Sequence, residues 1–298
     1  MNSYFLYPLL AVCLWGGNNI IGKMSVGVIE PTAISFARWL LAGLILTPFV
    51  APGVWKQRQL IRSLLPKLAV LALLGIVVFQ TLAYMAAQTT SATNMGLIGA
   101  LVPLLTLLLS VPLMRETPTV GTAIGAVVSI LGLVLLLTNG HPLSIIDQGI
   151  NHGDGLLLIG ASAYALYGVM LKRWTIPLTL WQSLYMQIML GVIWQLPLYL
   201  FGPSQEISAE AIPLIIYAGI AGSLCATYSW LVGITHLGAS RTTMFMNLVP
   251  LITCVLAAFW LGEQLHNAQI VGGGLILMGV VLSQRLTKPL FHLTPRPA

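Results

Sequence analysis

The chain has 298 residues, 57% of them hydrophobic and only 7% charged, with a net charge of +6 and a mean hydropathy of +0.92. A soluble domain carries roughly 25% charged residues to solvate its surface, so a water-soluble globule is excluded and the lipid bilayer is the first expected partner. The positive balance does not indicate a nucleic-acid partner, because the cations fall in loops where they orient a membrane protein.

About 20 apolar residues cross a bilayer as one helix. Ten such spans occur, at residues 4–23, 32–50, 68–87, 92–114, 120–138, 155–171, 178–201, 212–236, 240–261 and 269–284. They predict an all-α integral membrane protein with ten transmembrane helices. Breakers separate the spans: Glu30-Pro31, Ala51-Pro52-Gly53, Thr117-Pro118, Asn139-Gly140-His141-Pro142 and Gly202-Pro203. The connection at 89–91 is short enough to make spans 3 and 4 a tight antiparallel hairpin, and the longest loop, 139–154, joins two halves. The first apolar segment lacks a basic leader and reads as a full span rather than a cleavable signal. Cys13, Cys225 and Cys254 lie inside apolar runs without CxxC spacing, which indicates neither a metal site nor a disulfide framework.

Lysine and arginine favour cytoplasmic loops. With the N-terminus inside, the inner loops and tail hold Lys56, Arg58, Arg62, Lys67, Arg115, Lys172, Arg173, Arg241, Arg285, Lys288 and Arg296, which is 11 of 13 cations. Lys23 falls outside and Arg38 lies within span 2. The acids mirror this, with Glu30, Asp147, Asp154, Glu206, Glu210 and Glu263 outside and Glu116 inside. The expected location is a cell inner membrane, with both termini cytoplasmic.

The chain repeats itself. LVPLLT at 101–106 returns as LVPLIT at 248–253, an offset of 147 residues that also pairs Gly75 with Gly222, Glu116 with Glu263, Gly125 with Gly272 and Gly132 with Gly279. Such self-similarity marks a duplication. The expected units are residues 1–140 and 153–286, five spans each, followed by a cytoplasmic tail at 287–298. Five is odd, so the second copy enters from the opposite face and the repeats are inverted, a common basis of alternating access. Pro103 and Pro250 sit in the two repeated motifs. Proline lacks an N–H and crowds the carbonyl four residues back, so kinks are expected there, with freed carbonyls at Gly99 and Met246. Pro103 lies about 16 Å into its span at roughly 1.5 Å per residue, near mid-bilayer.

These features resemble the drug/metabolite transporter superfamily, EamA type, over essentially the whole chain. The resemblance rests on ten short spans in two repeats. In each, a small-residue loop (Thr90-Ser91-Ala92, Gly238-Ala239-Ser240) leads to a proline-kinked helix. That helix ends near Glu116 or Glu263, and a glycine-rich span follows. The resemblance implies a central cavity lined by spans 1, 3, 4, 6, 8 and 9. Within the superfamily the chain most suggests the YddG-like aromatic amino acid exporters.

Candidate lining residues follow from helical spacing. Trp15, Asn18, Asn19 and Gly22 share one face of span 1; for the amides, lining a cavity is preferred over packing glue between helices, because a Trp shares their face. Span 3 carries Phe79, Gln80 and Tyr84. Span 6 carries Tyr164 and Tyr167, with Tyr164 equivalent to Trp15 at an offset of 149. Span 8 carries Ser223, Thr227, Tyr228 and Trp230, of which Tyr228 is placed in the cavity. Span 9 carries Thr243, Met246 and Asn247. Tyr and Trp also mark interfacial belts, the reading given to Tyr4 and Tyr217, whereas Tyr84, Tyr164 and Tyr228 fall mid-span. Asn94 reads as a cap at the outer start of span 4. For Arg38, snorkelling outward or pairing with Glu30 is preferred over binding a substrate carboxylate. Gly121, Gly125, Gly272, Gly273, Gly274 and Gly279 read as small-residue packing, within the monomer or across a homodimer.

No Walker A loop, HExxH or GxSxG occurs, and no Asp or Glu lies mid-span. The reading is a secondary transporter or facilitator, not an enzyme, with no cofactor and no metal. Its expected small-molecule substrate is an amino acid, with aromatic or other hydrophobic ones favoured, exported by alternating access. The alternatives are export of drugs or other metabolites, a channel, or a membrane scaffold. A channel usually carries rings of charge or carbonyls, and two inverted halves without a charged ring fit gating better.

Overall fold

The computed structural model describes residues 3–25, 27–87, 89, 95, 98–114, 118–144, 151–204, 206–261 and 266–290. Among the described residues there are ten helical spans. They are α1 (Leu6–Met24), α2 (Pro31–Lys56), α3 (Arg58–Ala72, continuing as Phe79–Ala87), α4 (Val102–Met114) and α5 (Val120–Leu137) in the first half. The second half has α6 (His152–Trp174), α7 (Leu180–Leu200), α8 (Ala211–Tyr217, continuing as Ala226–Leu237), α9 (Ala239–Thr243, continuing as Leu248–Leu261) and α10 (Asn267–Arg285). Among the described residues, nine are long and apolar enough to cross a membrane, and α4 is a shorter apolar helix. The predicted start of span 4, with Asn94, lies outside the described residues.

Two boundaries differ from expectation. Helix α2 runs on to Lys56 through Pro48 and Pro52, so Ala51-Pro52-Gly53 does not end it. A helix among other helices tolerates proline because its neighbours satisfy the freed groups. Helix α3 starts at Arg58 rather than 68. Its first turns are amphipathic: Ile61, Leu64, Leu68 and Leu71 are buried on one face, while Arg58, Arg62 and Lys67 stay exposed. The cations assigned to a loop thus belong to a helix.

The halves interlock. Helix α1 packs against α8 and α9, and its counterpart α6 packs against α3 and α4; α2 pairs with α7, and α5 with α10. Each half therefore lends its first helix to the other. Along the α5–α10 seam, Gly125 faces Gly279 and Gly132 faces Gly272. Rising numbers on one helix meet falling numbers on the other, so these repeat-equivalent helices are antiparallel, as inverted copies must be. A Cβ on Gly132 would stand 2.5 Å from the Gly272 carbonyl oxygen, and one on Gly272 equally close to that of Gly132. Gly125, Gly272 and Gly279, whose role the sequence left open, are therefore used inside the chain.

The ends of helices are tied down by specific acceptors. Asn151 and Asp154 form a reciprocal capping box at the start of α6, with bonds of 3.1 and 3.0 Å. The backbone N–H groups of Val120 and Gly121, which open α5, donate to the carbonyls of Lys288 and Leu286 at 2.8 and 3.0 Å, and Leu290 N–H donates to Pro118 at 2.7 Å. Residues 287–290, expected as free tail, are docked there because the first turn of a helix needs outside acceptors.

Candidate functional site

The ladders of α3 and α8 both loosen into π turns, at Leu73–Val78 and Ala218–Cys225. A shift of 147 carries the first onto 220–225, within the second. Single π turns inside α-helices occur often at functional sites. Each is contacted from the other half. Gln195 Nε2 of α7 donates to Ile76 O at 3.2 Å, and Trp15 Nε1 of α1 donates to Gly222 O at 3.0 Å. Each π turn also has a glycine that admits a side chain. The Tyr167 ring lies 2.9 Å from where a Cβ on Gly75 would stand, and Asn18 Oδ1 lies 2.8 Å from the same point on Gly222. Gly75 and Gly222 are repeat equivalents, and so are Asn18 and Tyr167 at the offset of 149, so one arrangement is built twice.

An aromatic cluster joins the two π turns. The Trp15 ring is 5.0 Å from Trp230, Trp230 is 6.4 Å from Tyr164, and Tyr164 is 4.5 Å from Phe79 and 5.6 Å from Tyr167. These rings come from α1, α3, α6 and α8. The repeat-equivalent pair Trp15 and Tyr164 meets at Trp230, with Tyr164, Tyr167 and Trp230 buried and Trp15 and Phe79 half-buried. Polar atoms without a hydrogen-bond partner among the described residues accompany the rings on these or adjoining helices: Trp230 Nε1, Asn18 Oδ1, and both Oδ1 and Nδ2 of Asn247, whose side chain is 1% exposed. Buried polar groups are nearly always paired, and an unpaired one costs about 1–3 kcal/mol.

Asn247 and Met246 lie on a 3₁₀ turn, Met244–Asn247, that interrupts α9 three residues before Pro250. The equivalent stretch in the other half, as far as it is described, is also irregular: residues 100–101 form a turn, Leu101 N–H donates to Ile98 O at 3.0 Å, and the regular helix resumes at Val102, next to Pro103. Among the described residues, a Cβ on Gly99 would meet nothing within 4 Å. Both prolines thus follow a break in their helix.

Other candidates lie elsewhere. Tyr228 stacks on Trp181 of α7 at 3.8 Å and 11°, away from the cluster. It is two residues from Trp230, about 200° around the helix, and Trp230 supplies the ring of α8 instead. A pocket of about 420 Å³ opens on that flank between α2 and α7, against Leu46, Val50 and Trp181, and includes no residue of the cluster. Asn19 is exposed and donates to Thr253 Oγ1 of α9 at 3.2 Å. Gln80 is half-buried on α3, and the side chain of Tyr84 lies outside the described residues. Tyr217 is not a belt residue: its hydroxyl donates to Leu14 O at 3.4 Å, between α8 and α1.

The profile of the EamA-like transporter family matches residues 2–138 and again 151–284. The chain belongs to the EamA-like transporter family. An uncharacterized transporter, YyaM, of Bacillus subtilis is 27% identical over 287 residues, covering 94% of this chain and 93% of the relative. An uncharacterized transporter of Archaeoglobus fulgidus is 25% identical, covering 95% and 98%. Protein PecM of Dickeya dadantii is 25% identical, covering 94% and 92%. A crystal structure with 19% identity and a TM-score of 0.77 covers 96% of this chain and 98% of that one, and shares the fold.

In this EamA-like transporter, sequence spacing had singled out Trp15, Asn18, Phe79, Tyr164, Tyr167, Asn247 and Met246, which the structure places in the cluster or on the breaks and turns beside it. It had passed over Trp230 in favour of Tyr228, and over Gln195. The repeat gave no signal for Trp230, whose equivalent is Ala83.

Proposed function

We propose that this EamA-like transporter exports amino acids with aromatic or other large apolar side chains across a cell inner membrane, with both termini in the cytoplasm. The observation that supports this reading best is the ring cluster of Trp15, Phe79, Tyr164, Tyr167 and Trp230 beside unpartnered amide and indole atoms. Ring faces suit an apolar side chain and an ammonium group, and the amides suit the polar end of a zwitterion. The rings now pack on one another, so a cargo ring enters by exchanging their contacts for its own. The broken helices α4 and α9 are the elements that tilt, each exposing the cluster to one side of the membrane in turn.

The test is counterflow in proteoliposomes with Trp15→Ala and Tyr164→Ala. One ring–ring contact is worth about 0.5–1.5 kcal/mol, which is roughly a 2- to 12-fold change in affinity. Each variant is expected to raise the KM for phenylalanine by that factor and to leave the KM for alanine within about twofold. Equal effects on both solutes, or none, contradict the reading.

A further inference from the structure

Arg38, within α2, is engaged inside the protein. It is 3% exposed, and its Nε donates to Ser223 Oγ of α8 at 2.6 Å, where Gly219 lets the two helices approach. The cations at the other end of α2 are exposed. Just before them, the flank of α2 and α7 holds the groove of about 420 Å³ that contains no part of the ring cluster. Its deeper part is apolar. Leu46, Val50 and Gly53 recur at i, i+4 and i+7 and so line it from one side of α2, with Trp181 of α7 opposite. Phe49 and Trp181 on its rim are 80% and 40% exposed, so the groove opens toward lipid.

Toward the end of α2 the groove becomes polar. Gln182 lines it and is only 8% exposed. Its Oε1 accepts from Thr179 N–H at 3.2 Å, so its NH2 group is what it presents to α2. Gly53 keeps that group bare, since a Cβ there would stand 3.1 Å from Gln182 Nε2. About 4.5 Å further along the helix, a second depression of about 380 Å³ begins at Lys56 and takes in Arg58. The Arg58 guanidinium carbon lies 5.5 Å from the Trp55 ring, and its Nη1 donates to Trp55 O at 3.4 Å. Trp55 is 71% exposed, as suits a ring at a membrane interface. No Asp or Glu occurs at 31–115, so no acid of α2, α3 or α4 neutralises these cations.

We propose that this flank binds one anionic phospholipid. The order of groups along α2 is the order of groups in such a molecule. Leu46, Val50 and Trp181 take an acyl chain, the Gln182 amide beside Gly53 donates to an ester carbonyl, and Lys56 and Arg58 meet the phosphate and its headgroup. Basic pockets between transmembrane helices hold anionic headgroups in this way. The chain-binding wall is continuous with the carrier's interior, because Trp181 stacks on Tyr228 of α8 at 3.8 Å. On the orientation proposed above the lipid belongs to the cytoplasmic leaflet. The site itself is independent of which solute is transported.

The test is native mass spectrometry of the purified full-length protein, titrated with phosphatidylglycerol and phosphatidylcholine of identical acyl chains. One phosphatidylglycerol should bind at least about tenfold tighter than phosphatidylcholine, since two interfacial cations distinguish them. Lys56→Gln combined with Arg58→Gln should weaken phosphatidylglycerol at least about fivefold, the worth of one such cation, and leave phosphatidylcholine unchanged. Arg285→Gln combined with Lys288→Gln removes the same charge from exposed positions at the end of α10 and should change neither affinity. Phe49→Ala, at an exposed rim position, should weaken both lipids alike. All these substitutions are at exposed residues, so the fold is retained. Equal binding of the two lipids, equal losses in the two charge variants, or no effect of Phe49→Ala overturns the assignment. Displacement of phosphatidylglycerol by equimolar glycerol phosphate also overturns it, because the site would then bind free phosphate rather than a lipid.

Discussion

Gly132→Ala probes the seam on which the two repeats meet. The new Cβ would stand 2.5 Å from Gly272 O, 2.7 Å from Leu275 Cβ and 2.8 Å from Ile276 N, where real Cβ contacts essentially never fall under 3.0 Å. The helices must part by at least about 0.5 Å. Two of these neighbours are backbone atoms and the third is a Cβ fixed to the backbone, so none can swing aside, and Gly125 and Gly279 hold the same seam two turns away. Overpacking of this kind costs about 1–3 kcal/mol. Alanine returns about 1 kcal/mol of helix propensity, so the matched control is Gly274→Ala on α10, where a Cβ meets nothing within 4 Å. Relative to that control, Gly132→Ala should unfold roughly 2–12 °C lower in detergent, at about 2–4 °C per kcal/mol. Both proteins are scanned at one rate, because unfolding of such proteins is commonly irreversible. Equal unfolding temperatures refute the antiparallel glycine seam.

Two further outcomes follow from the topology and the helix breaks. Single cysteines introduced at 56–62 should label only from the cytoplasm, and those at 204–208 only from outside; outside labelling of 56–62 in intact cells reverses the orientation. Pro103→Ala and Pro250→Ala should each extend a regular helix across its break and favour opposite access states. State-specific labelling of Gly99→Cys and Met246→Cys reads this, and equal, unaltered accessibility in both variants contradicts the role of the breaks.

Composition and the 147-residue offset were enough to specify ten spans and two inverted halves, because hydropathy and self-similarity are properties of the sequence itself. Partnership between helices is not. The offset says that α1 and α6 are equivalent, but only packing shows that each serves the opposite half. The start of α3 was misplaced because its cations suggested a loop, although Ile61, Leu64 and Leu68 already carried a helical period. Spacing along α1 and α6 put Trp15 with Asn18 and Tyr164 with Tyr167 on shared helix faces, since one face of a helix is a matter of residue number. It took Tyr228 rather than Trp230 for the cavity, and of these two aromatic residues on opposite faces Trp230 joins the ring cluster while Tyr228 stacks on Trp181. The π turns have no pattern of their own beyond Gly75 and Gly222, and the burial of Arg38 depends on Gly219 and Ser223 of another helix.

The central claim is that these ten helices form a carrier whose ring cluster recognises an aromatic amino acid. Counterflow of labelled phenylalanine into proteoliposomes preloaded with unlabelled phenylalanine tests it most directly. The account predicts saturable, stereoselective uptake that is inhibited by tryptophan and tyrosine and only weakly by alanine. Uptake that rises linearly with concentration, or none for any of these amino acids with correctly folded protein, would contradict it.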